Sequence, residues 1–159
     1  VSSGAPEKLS LDRRSLLHVV RTTLTATIAL LLAQFAGLPE AYWAAVAALI
    51  VMQSTLGAAL QVSLQRFAGT VLGAALGAVI ATLWGRGPAV FGAGVLAGGG
   101  LCALLRLDRA AYRFAGVTLA IVVLARQAEP AWIIALHRFV EVTLGIVVGL
   151  FVTAAWPEA

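Results

Sequence analysis

Few side chains in this 159-residue chain can do chemistry, and most of them are arginines. Arg21 (followed by Thr22, Thr25 and Thr27), Arg66, Arg113, Arg126 and Arg138 border or interrupt long apolar runs. Glu141 follows Arg138 by three residues and His137 by four. An ionised group inside a bilayer costs roughly 2.5–3.5 kcal/mol on insertion scales and usually faces a cavity or a partner. Guanidinium groups fork bidentately onto carboxylates, so Arg21, Arg66 and Arg138 read as a cationic path for an organic anion. Arginine near a helix end also snorkels to headgroups. That reading suits Arg113 and Arg126 and competes with substrate contact at Arg66. Glu141 has two readings: an ion pair with Arg138 or His137 along one helix face, or a proton-binding carboxylate that couples transport to proton entry.

Other chemistries find no support in the residue types. Two His, one Cys and seven acidic residues are too few and too dispersed for a metal cage. The motifs of zinc proteases, redox dithiols and P-loops are missing. No metal, no cofactor and no enzymatic activity are expected. Net charge is +4, but the basic residues are scattered singly between apolar runs, which argues for topology signals and lipid headgroups rather than nucleic acid. The lone Cys102 permits no intrachain disulfide.

The elements that must position these groups are apolar helices. Residues of the set AVILMFWYC make up 61% of the chain and charged residues 11%, too few charges to cover a soluble globule of this size. The chain reads as an all-α, polytopic membrane protein. Six segments stand out: Leu16–Leu38, Ala41–Leu60, Phe67–Trp84, Pro88–Leu105, Tyr112–Ala125 and Trp132–Trp156. Each is expected to cross the bilayer, which takes about 20 residues, although the uncharged core of the fifth, Phe114–Ala125, gives only about 18 Å of helix. Residues 1–15 are expected as an N-terminal cytoplasmic segment and 16–157 as the transmembrane domain. The first residue is Val1 rather than Met, so the first ten residues read as trimmed or processed, with no evident signal peptide.

Counting Lys and Arg sets the expected orientation. With the N-terminus inside, Lys8, Arg13, Arg14, Arg21, Arg66, Arg106, Arg109 and Arg113 are cytoplasmic, against Arg86, Arg126 and Arg138 outside. Both termini are therefore expected in the cytoplasm. Tyr42, Trp43, Trp84 and Trp132 then form an outer aromatic belt, and Tyr112 and Trp156 an inner one.

A shift of 72 residues aligns the third segment with the sixth: Arg66-Phe67 with Arg138-Phe139, Leu72-Gly73 with Leu144-Gly145, Gly77 with Gly149, Trp84 with Trp156. The second and fifth match weakly at the same shift, Ala48 with Ala120 and Val51 with Val123. A three-helix unit repeated once crosses the membrane in opposite senses, so a 3+3 inverted repeat is possible, an arrangement that transporters use. Convergence on one glycine-rich pattern is the competing explanation. Gly69, Gly73 and Gly77, with Gly145 and Gly149, are small residues four apart that let helix backbones approach closely. Gln34 and Gln53 read as polar contacts between helices.

The stretch Tyr42-Trp43 through Gln53, then Arg66-Phe67-Ala68-Gly69-Thr70 with Gly73 and Gly77, resembles the fusaric acid resistance (FUSC-like) and aromatic acid exporter family. The last segment, from Arg138 through Glu141, Gly145, Gly149 and Trp156 to Pro157, resembles it too. The resemblance covers about residues 13–157. It implies a six-helix unit in a bacterial inner membrane that exports aromatic carboxylates and related weak acids. Plant aluminium-activated malate channels look like distant relatives with a similar unit in a dimeric anion pore. The expected partners are an organic anion and the lipid bilayer, and the expected assembly is a homodimer or higher oligomer. The alternatives are a passive anion channel, or a non-transporting subunit with an assembly or regulatory role.

Overall fold

The computed structural model describes residues 13–53, 55–125 and 128–156. Among these the regular structure is α-helix throughout: α1 (Arg13–Phe35), α2 (Tyr42–Val51), α3 (Leu56–Trp84), α4 (Pro88–Leu104), α5 (Arg109–Leu124) and α6 (Ala131–Ala155). Lys8, Arg126 and Pro157 lie outside the described residues. Short connections make successive helices alternate in direction. Gly37 sits in the α1–α2 turn at φ 70° and Gly85 ends α3 at φ 80°, left-handed conformations that glycine adopts without a Cβ clash.

Three helices, Ser15–Phe35 within α1, all of α3 and all of α6, are long and apolar enough to cross a membrane. The others are shorter, and one expected segment is not a single helix. Ala41–Leu60 breaks after Val51: Met52 is extended, and α3 begins at Leu56 rather than at Phe67. Thr55 causes the restart, because its hydroxyl accepts from the Ala58 N–H at 3.3 Å as an N-cap. The stretch Gln61–Gln65, expected as a connection, is helical because neither Pro nor Gly interrupts it. Thus α2 has ten residues, about 15 Å, and α3 has twenty-nine, about 43 Å.

Small residues are inside this bundle and large ones outside. Ala29, Ala33, Ala44, Ala47, Ala48 and Ala59 are completely buried, whereas Phe35, Leu96, Leu104 and Phe151 point outward. A soluble core has the reverse pattern. Helices that associate in lipid gain nothing from hiding leucine and gain packing from close backbones. Tyr42, Trp84, Trp132 and Trp156 are also exposed, as belt residues would be.

The glycines let two helix pairs approach backbone to backbone. On α3, a Cβ added at Gly69 would overlap the Ala111 carbonyl, one at Gly73 the Ala115 carbonyl, and one at Gly77 would lie 2.9 Å from Val122 Cβ, all on α5. On α6, a Cβ at Gly145 would overlap the Ala44 carbonyl and one at Gly149 would lie 3.0 Å from a Val51 methyl, both on α2.

These contacts repeat in register. Gly73 meets Ala115 and Thr118, and Gly145 meets Ala44 and Ala47; Gly77 meets Val122, and Gly149 meets Val51. The partners on α5 and α2 differ by 71 positions while the glycines differ by 72. The weak match of the second and fifth segments therefore sat one residue out of register: the counterpart of Val51 is Val122, not Val123. Phe67 and its counterpart Phe139 touch each other, with ring centroids 5.6 Å apart. A residue that meets its own repeat-mate lies on the pseudo-two-fold axis, so the bundle has two equivalent spatial halves, α1–α2–α6 and α4–α5–α3, each completed by a helix of the other repeat unit, and they meet along α3 and α6.

Candidate functional site

Toward the end of the bundle that carries the α1–α2 turn, the buried Arg138 guanidinium gathers three groups. Arg138 Nη2 pairs with Glu40 Oε2, and Nη1 lies 3.1 Å from Glu141 Oε2 as an ion pair without hydrogen-bond alignment. Its carbon sits 5.0 Å from the centroid of the Trp43 ring, a cation–π distance. Glu40 is the hub on the other side: its Oε2 also accepts from Tyr42 Oη at 2.8 Å and Trp43 Nε1 at 3.0 Å. Glu141 Oε1 accepts the Glu40 backbone N–H at 3.0 Å, which ties α6 to the turn.

Burial raises the Glu40 carboxyl, but its hydrogen bonds with Tyr42, Trp43 and Arg138 and the Arg138 charge more than offset this and hold it below the usual carboxylate range. Glu40 therefore stays ionised at neutral pH.

Arg66 on α3 is built the same way and partnered differently. It lies about 15 Å from the start of α3, is 4% exposed, and stacks over Phe114 of α5 at 5.0 Å from the ring centroid. Among the described residues it makes no hydrogen bond or ion pair, and its Nε is buried without an acceptor. Phe114 stands 71 positions after Trp43, the shift that relates α5 to α2. Arg66–Phe114 and Arg138–Trp43 are thus two copies of one cation–π pair. The acids are not copied: the positions matching Glu40 and Glu141 are Ala111 and Gly69.

Arg21 belongs to a third environment. Nη1 donates to the Trp156 carbonyl at 2.6 Å and Nη2 to the Gln53 carbonyl at 2.8 Å. Its guanidinium holds together the C-terminal ends of α6 and α2, where unpaired carbonyls carry partial negative charge. Among the described residues Arg21 bonds to Trp156 and Gln53, Arg66 stacks on Phe114, and Arg138 meets Glu40, Glu141 and Trp43, three different sets of neighbours. His137 is half-buried and makes no hydrogen bond or ion pair among the described residues, so of the two expected partners of Glu141 the structure pairs Arg138. Arg113 is exposed, Gln34 likewise, and Gln53 Nε2 turns back to the Ile50 carbonyl at 3.1 Å.

Two residues of this arrangement escaped the reading of the sequence. Glu40 stands beside Pro39 between the first two apolar segments, and its partners lie 98 and 101 positions away. Phe114 looked like one more apolar side chain, and only the corrected 71-residue register marks it as the counterpart of Trp43.

Comparison with known proteins places these features. Residues 28–152 match the family described as fusaric acid resistance protein-like. The chain is 33% identical over 141 residues to "Uncharacterized transporter YdhK" of Escherichia coli K12, an alignment covering 83% of this chain and 21% of that protein. The Salmonella typhimurium protein of the same name matches equally, at 33% over 141 residues. The chain thus spans about a fifth of the length of these curated relatives. No solved structure matches it.

Proposed function

Because the chain belongs to the fusaric acid resistance protein-like family, we propose that it forms part of a membrane transporter for organic anions, aromatic carboxylates first among them. The observation that carries this reading is Arg66. A buried cation without a carboxylate partner is costly in an apolar bundle, where the desolvation penalty runs to several kcal/mol per ion. An anionic substrate that arrives at Arg66 supplies the missing charge, and Phe114 offers the same place a ring face. The guanidinium fork recognises a carboxylate, and the ring favours an aromatic body attached to it.

The transporter acts as a homo-oligomer in this reading. An apolar groove of about 420 Å³ runs along the α3–α6 junction, lined by Phe67, Val71, Trp132, Leu136 and Phe139, and offers a second copy a surface beside the pseudo-two-fold axis. Both termini face the cytoplasm of a bacterial cell, as the distribution of Lys and Arg favours.

The test is flux of radiolabelled benzoate through proteoliposomes. Wild-type protein moves benzoate faster than benzamide, and Arg66→Gln abolishes the difference while the protein remains folded. Equal benzoate flux in wild type and Arg66→Gln removes Arg66 from the path and the reading with it.

A further inference from the structure

The Arg138 cluster holds one carboxylate more than its arginine needs. Arg138 and Glu141 are three residues apart on α6 and neutralise each other within that helix. Glu40 comes from another element, the α1–α2 turn, and is the more accessible acid, its side chain 23% exposed against 0% for Glu141. Three donors of different kinds converge on the single oxygen Glu40 Oε2: the Arg138 guanidinium, the Tyr42 phenol and the Trp43 indole. The Tyr42 and Trp43 rings stand 5.5 Å apart beside it, tilted by 36°. A guanidinium, two further donors and two aromatic faces make a receptor for an aromatic carboxylate, and a side-chain carboxylate already sits in it.

We propose that Arg138, Tyr42 and Trp43 form a second carboxylate site that Glu40 closes as a tethered stand-in, and that an aromatic carboxylate enters this site by displacing the Glu40 side chain. The exchange conserves the charge of the cluster, one guanidinium with two carboxylates before and after, so it avoids the penalty of adding a net charge to a poorly solvated place. The related half of the molecule argues that Glu40 is not needed to build the fold there. Arg66 is buried over Phe114 at the same 5.0 Å with Ala111 and Gly69 where the acids would be. Glu141 keeps the turn in place during the exchange, because it binds the Glu40 backbone N–H rather than its side chain.

The experiment is benzoate binding by isothermal titration to purified protein carrying Arg66→Gln, so that occupancy of Arg66 is not mistaken for occupancy of Arg138. In that background Glu40→Ala binds benzoate more tightly than the parent, on the order of tenfold, the value of one charge-assisted contact. Benzoate also returns the thermal stability that Glu40→Ala loses, by mass action on the folded state. Benzamide does neither, and adding Arg138→Gln removes the gain. Should Glu40→Ala fail to fold, Glu40→Gln decides: its neutral amide keeps an acceptor for Tyr42 and Trp43 but yields Arg138 to benzoate, so affinity again rises. Loss of stability that benzoate does not repair, with Glu40→Gln folded and unchanged in benzoate affinity, makes the cluster a structural triad and overturns the proposal. The outcome is independent of whether Arg66 carries flux.

Discussion

The two halves of this bundle place an arginine over an aromatic ring at the same distance and treat its charge in opposite ways. In the α2–α6 pair, Arg138 over Trp43 is met by Glu40 and Glu141; in the α3–α5 pair, Arg66 over Phe114 is met by neither. The glycine contacts around both pairs keep one register, so the backbone does not account for the difference. Two substitutions do: Ala111 where the other half has Glu40, and Gly69 where it has Glu141. Gly69 could not even be exchanged for glutamate, because any Cβ there overlaps the Ala111 carbonyl. At that one position the close approach of α3 and α5 admits no side chain at all. A shared scaffold thus yields one cation paired with two carboxylates and one that meets none among the described residues.

The largest effects should come from breaking the scaffold in both halves alike. Gly73→Val and Gly145→Val each push a branched side chain into a backbone carbonyl, of Ala115 and Ala44 respectively, and neither carbonyl can move without its helix. Overpacking against side chains costs about 1–3 kcal/mol; here the obstacle is helix backbone, so loss of the folded state is expected. Unfolding in mixed micelles should show both variants strongly and similarly destabilised, while Gly116→Ala, which meets nothing within 4 Å, stays near wild type. Unequal effects at Gly73 and Gly145 would break the equivalence of the halves.

Next in size is the arginine pair itself, where the halves should part. Arg138→Gln strands two carboxylates and should cost about 3–5 kcal/mol, the usual loss when one partner of a buried ion pair is removed. Adding Glu40→Gln and Glu141→Gln should recover most of it. Arg66→Gln removes a charge that has no partner among the described residues and should leave stability unchanged or raised. If both single variants unfold equally, Arg66 has a counter-charge.

Arg21→Gln should follow, since it releases the Trp156 and Gln53 carbonyls at two helix ends. Both carbonyls are part-buried at helix ends, where water can replace the lost donor, so the net cost should be that of one charge-assisted hydrogen bond, about 1.5–3 kcal/mol. Because these bonds join α6 to the loop after α2, hydrogen exchange should rise first at Val152–Trp156 and Met52–Gln53. Exchange that rises uniformly would argue against a local clamp.

The smallest effect is in pH. Glu40 has its folded pKa lowered from the ordinary 4.5, so its contribution to stability is fully present above that value and is lost as pH falls through the lower folded one. Thermal midpoints of wild type and Glu40→Gln should therefore run parallel above about pH 5 and converge in the acid range below it. Curves that stay parallel to pH 3 would remove Glu40 from the titrating groups.

Much of this was legible one residue at a time. Apolar content and the scarcity of charge put the chain in lipid, because no soluble surface could be made from it. The spacing of Gly69, Gly73, Gly77, Gly145 and Gly149 marked the close faces, and Arg66, Arg138 and Glu141 were conspicuous because charge inside an apolar run is expensive. The break after Val51 was not legible, since Met52-Gln53 looks no different from a helical stretch until Thr55 caps the next helix. Only the tertiary structure decided which cation is satisfied. Periodicity places a side chain on a helix face, but charge compensation depends on which distant groups arrive there. Glu40 reaches Arg138 across 98 positions, and with Ala111 and Gly69 at the matching places Arg66 has no such partner among the described residues. Composition determined the solvent and spacing determined the contacts along each helix; pairing between helices, which makes one buried arginine a strut and leaves the other without a carboxylate partner among the described residues, existed only once the helices had packed on each other.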